Sequence, residues 1–182
     1  MIFQSTTLKD AWLIALELRG DERGHFARTM CRTEFSKHGL ATDFVQQNMS
    51  ASAKAGTLRG LHFQRTPHAE AKLIRCTRGV ILDVIVDLRA DSPSYLQHEG
   101  FELSAANQRQ LYVPPGFAHS FLTLTDDVEV TYLVSSFYTP AAEGGLRYND
   151  PALGIEWPLP VSTISEKDAN WPLLQHGDRP IF

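Results

Sequence analysis

Short apolar runs broken at close intervals by turn-forming residues dominate the chain, the pattern of a strand-rich protein. The runs predict strands over Ala11–Leu18, Leu73–Arg75, Val80–Leu88, Gln97–Leu103, Arg109–Val113, His119–Leu124 and Val128–Phe137. Gly79, Asp91-Ser92-Pro93, Pro114-Pro115-Gly116 and Asp126-Asp127 punctuate them. In Val80–Leu88 the even positions are all aliphatic, while Asp83 and Asp87 alternate with Ile81 and Ile85 on the other face. One buried face with carboxylates on the opposite one is therefore expected. Helix is a minority: Thr33 is expected to cap a short helix running through His38 and ended by Gly39, and Ser165 with Asp168 has the spacing of a capping box. Many short strands with few helices predict an all-β sandwich or barrel, with a jelly roll among the candidates. No repeat, low-complexity run or linker divides the chain, so one domain over 1–182 is expected.

Composition narrows the function classes. The chain has 182 residues, 43% hydrophobic and 21% charged, with a net charge of −4, enough for one well-buried core. That charge gives no general attraction to nucleic acid or anionic lipid, so an anionic ligand must be held by a local cluster, for which Arg23, Arg59 and Lys72 are candidates. Cys31 and Cys76 have neither metal-ligand spacing nor the density of a disulfide scaffold. With no leader-like start and no apolar run long enough to span a bilayer, a cytoplasmic protein with no membrane partner is expected.

Candidate chemistry concentrates between Gln46 and Lys72, around Leu58-Arg59-Gly60-Leu61-His62-Phe63-Gln64. Arg59 and His62 are an odd number of residues apart, so a regular strand would send them to opposite faces; Gly60 makes a bulge plausible that would bring them together. Taken alone, a strand histidine is usually a hydrogen-bonded structural residue, a strand tyrosine a half-buried packing residue, and an aspartate at a helix start a cap.

A longer ordered pattern changes those readings. Asp21-Glu22-Arg23-Gly24, Gln46-Gln47-Asn48, Leu58 to Gln64, Lys72-Leu73, Asp83-Val84, Pro115-Gly116-Phe117-Ala118-His119, Tyr132, Tyr138, Glu143, Asn149-Asp150-Pro151, Ile155-Glu156-Trp157-Pro158 and Ser165-Glu166-Lys167-Asp168 follow one another in order. Over residues 20 to 170 the chain resembles the dTDP-4-dehydrorhamnose 3,5-epimerase family. The resemblance implies a cupin-type jelly roll, a homodimer, a nucleotide-sugar substrate and no cofactor. It further implies that His62 is the base removing the protons at C3 and C5 of a 4-keto sugar, with Asp168 orienting its imidazole. Lys72 would stabilise the enolate oxygen, and Tyr132 would return a proton from the opposite face. Arg23 and Arg59 would grip the diphosphate, Gln46 and Asn48 would read hydroxyl or base edges, Tyr138 would stack on the nucleobase, and His119, Glu143 and Lys167 would be further substrate contacts. Asp83 matches the pattern but is left outside the catalytic set, because a structural hydrogen bond explains it as well.

The chain departs from the family at three places. Arg28 stands where glutamate is usual, at a position associated with nucleotide contact, which leaves the nucleotide open. Ser120 replaces a usual glycine and is expected to reshape the pocket wall, and Leu133 replaces a usual lysine outside the chemistry. Alternatives remain within the fold: epimerisation at one carbon only, a 3,4-ketoisomerase, or a cupin that binds a nucleotide sugar without turnover. The ketoisomerase reading would gain from a second histidine beside His62, and no His-x-His pattern supplies one. A metal centre is not expected: Pro115 to His119 resembles the second cupin motif, but the first lacks its paired histidines.

Overall fold

The computed structural model describes residues 1–175 and 181–182. His176, to which the sequence gives no role, lies outside the described residues. In chain order the strands are β1 (Ile2–Ser5), β2 (Trp12–Ala15), β3 (Arg19–Asp21), β4 (Gly24–Phe26), β5 (Gln46–Ser52), β6 (Leu58–Gln64), β7 (Lys72–Arg78), β8 (Val80–Asp87), β9 (His98–Ser104), β10 (Gln110–Val113), β11 (Phe117–Thr123), β12 (Val128–Val134) and β13 (Glu143–Gly145). The helices are α1 (Arg32–Lys37) and α2 (Glu166–Ala169), with a 3₁₀ turn at Pro140–Ala142. A six-stranded sheet in the order β1-β2-β10-β7-β12-β5 faces a five-stranded one in the order β13-β6-β11-β8-β9, and β3 and β4 form a separate hairpin. The strands pair antiparallel throughout. The fold is the expected all-β jelly roll, cupin-type in its two facing sheets.

Three apolar clusters hold these layers. Ile74, Cys76, Ile81, Ile85, Phe101, Leu111, Phe117, Phe121 and Val130 fill the space between the sheets. Leu61, Phe63, Val86, Leu88 and Ala118 lie behind the five-stranded sheet, covered by Leu146, Leu153 and the C-terminal segment. Phe35 of α1 packs with Ile14, Leu73 and Tyr112 behind the six-stranded sheet.

That layering corrects the reading of Val80–Leu88. Both faces of β8 are covered, and Asp83 and Asp87 are fully buried on the face carrying Ile81 and Ile85, the one turned toward the inter-sheet core. Alternation identified the two faces correctly, but aliphatic residues on the second face pack under the C-terminal segment instead of marking the only buried side. The helix boundary also shifts: Cys31, not Thr33, is the N-cap of α1, and its side chain makes no capping bond. Gly39 does follow the helix with φ of 70°, where the backbone amides of residues 38 to 40 close the last turn. β2 and β12 are shorter than expected, and β1 and the β3–β4 hairpin carry too little periodicity to stand out in the sequence.

Gly60 fixes the geometry of β6. His62 pairs with His119 and Arg59 with Phe121, so β6 carries one residue more than β11 between these pairs, the bulge that the sequence made plausible. At φ of 122°, a Cβ on Gly60 would lie 2.6 Å from the His119 carbonyl oxygen and 2.7 Å from Ser120 Cα. Both obstacles are backbone and cannot swing aside. Gly60→Ala is expected to lower the unfolding free energy by about 3 kcal/mol; a loss below about 0.5 kcal/mol in urea titration would show that the strands can part to admit the methyl group.

Candidate active site

The cleft opens between the two sheets and has two lobes, of about 330 and 520 Å³, that share His62, Lys72 and Tyr132. Gln46, Asn48, Gln64, Glu70, Tyr138 and Glu143 line the smaller lobe. Arg59, His119, Phe121, Ser165, Lys167 and Asp168 line the larger. Because of the bulge at Gly60, Arg59 and His62 contribute to the same lobe.

His62 projects from β6 and meets Asp168 of α2, with Nε2 2.6 Å from Oδ1. Asp168 is buried and also receives the Gly60 amide at 3.2 Å and the Trp171 indole N–H at 3.3 Å. Burial pushes its carboxyl pKa up, but the hydrogen bonds from His62, Gly60 and Trp171 and the coulombic pull of His62 outweigh burial and hold it below the ordinary carboxylate value. The capping box is half realised: the Asp168 amide donates to Ser165 Oγ at 3.1 Å, while the Asp168 carboxylate turns to His62. Cap and imidazole partner are thus one residue using different atoms.

Tyr132 comes from β12, in the opposite sheet, directly paired with Asn48 of β5. Burial, followed by the nearby Glu70 charge, raises its phenol pKa, so the hydroxyl stays protonated through the neutral range. Lys72 opens β7 and pairs at 3.1 Å with Glu70, both side chains nearly buried. Glu70 also receives a hydrogen bond from Gln64 Nε2 at 2.8 Å. Gln64 accepts the Thr139 amide at 2.6 Å and donates to the Phe137 carbonyl at 3.2 Å, which ties β6 to the segment bearing Tyr138. Sequence reasoning named Gln64 only as the end of its motif, without a role, and passed over Glu70; the available signal was a carboxylate two positions before Lys72.

Gln46 donates to Asn48 at 2.7 Å along one face of β5. Arg59 is held by Ser52 Oγ at 3.3 Å and the Ala51 carbonyl at 3.0 Å. Glu143 receives Lys167 at 2.6 Å and the Tyr138 hydroxyl at 3.1 Å. Burial works against ionisation of Glu143, but the Lys167 hydrogen bond prevails and lowers its pKa.

Arg23 stands apart from this group. It caps the tip of the β3–β4 hairpin, 83% exposed in its side chain and paired with Asp21 at 2.5 Å, and lines neither lobe. Arg28 pairs with Glu34 at 2.9 Å and is likewise outside the cleft of its own chain. Ser120 is fully buried beneath Gly60 and lines neither lobe, so the expected change to the pocket wall is not seen. Leu133 packs on the outer side of the six-stranded sheet. The absence of a second histidine next to His62, inferred from local spacing, is corrected by pairing: His119 is its direct cross-strand neighbour. Among the described residues no three His, Cys, Asp or Glu side chains converge as a metal site, and no helix is long and apolar enough to cross a membrane.

Comparison with known proteins adds a family to this geometry. Residues 5–176 match the sequence profile of dTDP-4-dehydrorhamnose 3,5-epimerase. The enzyme of that name from Sinorhizobium fredii is 45% identical over 175 residues, covering 96% of this chain and 90% of the relative. A Bacillus anthracis dTDP-4-dehydrorhamnose 3,5-epimerase structure with TDP and PPi bound superposes with a TM-score of 0.92 at 46% identity, covering 95% of this chain and 99% of that one. A Legionella pneumophila dTDP-6-deoxy-D-glucose-3,5-epimerase, in complex with dTDP-4-keto-L-rhamnose, superposes at 0.89 with 36% identity, covering 94% and 92%.

The lowered Asp168 pKa fixes the sign of an acid effect. Its stabilising contribution is complete above the unfolded value of about 3.9 and is lost as pH falls through the lower folded value. Replacing Asp168 with Asn is expected to flatten the fall in stability across that acid window, as read by urea titrations at a series of pH values. An unchanged slope would mean that the His62 contact contributes nothing to folding.

Proposed function

The chain belongs to the dTDP-4-dehydrorhamnose 3,5-epimerase family, and we propose that its cleft converts dTDP-4-dehydro-6-deoxy-D-glucose to dTDP-4-dehydro-L-rhamnose with the residues named above. The observation that carries this assignment of roles is the placement of His62 and Tyr132 on opposite sheets lining one cleft. A sugar ring lying between those sheets meets a base on one face and a phenol on the other. Inversion at carbon requires that arrangement.

The C4 carbonyl acidifies the hydrogens at C3 and C5, so the substrate itself supplies the activation and no cofactor is required. His62 Nε2, paired with Asp168, takes the proton; Asp168 stabilises the imidazolium that results. As the C–H electrons move into the ring, negative charge grows on the C4 oxygen. Lys72, held by Glu70 in a nearly buried pair, is the cation proposed to meet it. Tyr132 then delivers its hydroxyl proton to the opposite face, and its raised pKa keeps that proton available. Once His62 has given its proton to solvent and Tyr132 has taken one back, the same step at the other carbon completes the reaction.

In this reading Arg59 and Lys167 take the diphosphate, Tyr138 stacks on the base, and Gln46, Asn48, His119 and Glu143 fix hydroxyls and carbonyls; their shared lining of the cleft supports it. Arg23 cannot serve the cleft of its own chain in this conformation. Its exposed hairpin, with Phe26 66% exposed, and the unpaired edge strand β5, with Met49 64% exposed, support a homodimer in which the hairpin reaches a neighbouring copy. Light scattering is expected to give twice the 20.4-kDa chain mass; a monomer would leave Arg23 without a phosphate to hold. A cytoplasmic setting agrees with two cysteines left free.

The ketoisomerase alternative gains His119 beside His62, but Tyr132 on the facing wall supports inversion. A protein that only held the sugar would have no use for the His62–Asp168 pair. Proton NMR of dTDP-4-keto-6-deoxyglucose in deuterium oxide, followed by reductive trapping, is the deciding experiment. Deuterium is expected at C3 and C5 with L-rhamnose trapped; label at one carbon would establish a mono-epimerase. His62→Ala is expected to abolish exchange at both carbons, and Tyr132→Phe to retain some exchange while losing inversion. Full activity in either variant would defeat these roles.

A further inference from the structure

A second histidine–aspartate pair lies inside the barrel. Asp83 sits in the middle of β8, fully buried, with Phe101 and Phe121 as its cross-strand neighbours and Ile81 and Ile85 on the same face. Its Oδ2 lies 2.9 Å from His119 Nε2. Its Oδ1 is buried and has no hydrogen-bond partner among the described residues. A carboxylate left half satisfied between aromatic and aliphatic side chains opposes folding, and an apolar residue of similar size would suit the core better. Stability does not account for Asp83.

Its effect on His119 does. With Nε2 committed to Asp83, Nδ1 is the ring nitrogen left for the cleft, which His119 lines. His119 is the direct cross-strand partner of His62, so the two imidazoles occupy neighbouring positions on one wall, each with its own buried aspartate. We propose that Asp83 is a positioning residue for the epimerisation: it holds His119 with its proton on Nε2 and its Nδ1 toward the sugar, beside the base. This rests on the epimerase reading given above. A hydroxyl of the sugar donating to Nδ1 would keep the ring from rotating while His62 takes a proton. The carboxylate is needed because a neutral partner at position 83 would leave either ring nitrogen free to carry the hydrogen.

Asp83→Asn is the test variant, since it keeps the shape and removes the charge. Its unfolding midpoint is expected to equal or exceed that of the wild type, while kcat falls by at least about tenfold and deuterium uptake at C3 and C5 slows with it. Spectra of ¹⁵N-histidine-labelled protein are expected to show the His119 proton on Nε2 in the wild type and a shift of population toward Nδ1 in the variant. In a His119→Ala background, adding Asp83→Asn should cost no further activity, because the aspartate acts only through that ring. A wild-type His119 protonated on Nδ1 alone, full turnover by Asp83→Asn, an additional loss in the His119→Ala background, or failure of Asp83→Asn to fold would each overturn the proposal. Wild-type protein that exchanges neither carbon would instead overturn the epimerase reading, and with it any role for Asp83 in that reaction. The tautomer spectra, which need no substrate, keep the two failures distinguishable.

Discussion

The close approach of β6 to β11 at Gly60 is the constraint from which the rest of the cleft follows. Only a residue without Cβ can stand there, with the His119 carbonyl and Ser120 backbone inside contact distance. The bulge that results rotates the strand between Arg59 and His62, so that the residue proposed for phosphate and the residue proposed for proton transfer line the same lobe. It also presents the Gly60 amide to Asp168, which is thereby fixed by backbone on one oxygen and free to orient the His62 imidazole with the other. One missing methyl group thus sets strand register, charge placement and the aim of the base together.

Two facing sheets then do what a single surface could not. Catalytic groups on one sheet can approach a flat ring from one side only. With His62 on the five-stranded sheet and Tyr132 and Lys72 on the six-stranded one, a ring bound as proposed would face different chemistry above and below. The inter-sheet core of Ile74, Ile81, Ile85, Phe101 and Phe121 sets that separation rigidly, because a packed interior resists compression. Fold and stereochemistry are therefore connected by sheet spacing.

Much of this was legible in the sequence, in proportion to how local each feature is. The turn spacing gave the all-β class, and Gly60 between Arg59 and His62 announced the bulge. Ser165 and Asp168 showed their cap, and the candidate site residues named from Gln46 to Asp168 line one cleft, although other motifs of the pattern, such as Asn149-Asp150-Pro151, do not. What failed was non-local. Two histidines separated by 57 positions become neighbours only when β6 pairs with β11, which no spacing rule reports. Glu70 drew no reading from the sequence, because its partners Lys72 and Gln64 close around it only in the fold. The burial of both faces of β8 depended on a C-terminal segment whose path cannot be read from alternation. Arg23 matched by motif and yet sits on an outlying hairpin, since a motif carries residue identity and not its place in the fold.

The two aspartates of β8 separate stability from function on a single strand face. Asp87 receives the Arg89 amide and guanidinium and the hydroxyls of Ser92 and Ser94, all between 2.6 and 3.0 Å. Burial alone would raise its pKa, but these donors lower it, so ionised Asp87 clamps the loop after β8 at one end of the barrel. Asp83, four residues earlier and equally buried, has one partner where Asp87 has a full set, and that partner lines the cleft. The same strand supplies the same side chain to both places, so neither residue type nor backbone explains the contrast. If burial of a carboxylate served only the fold, selection for stability would have surrounded Asp83 with donors or replaced it with a hydrocarbon. A carboxylate kept half satisfied in the core, behind the cleft residue it bonds, is the arrangement expected where holding an imidazole matters more than the stability it costs.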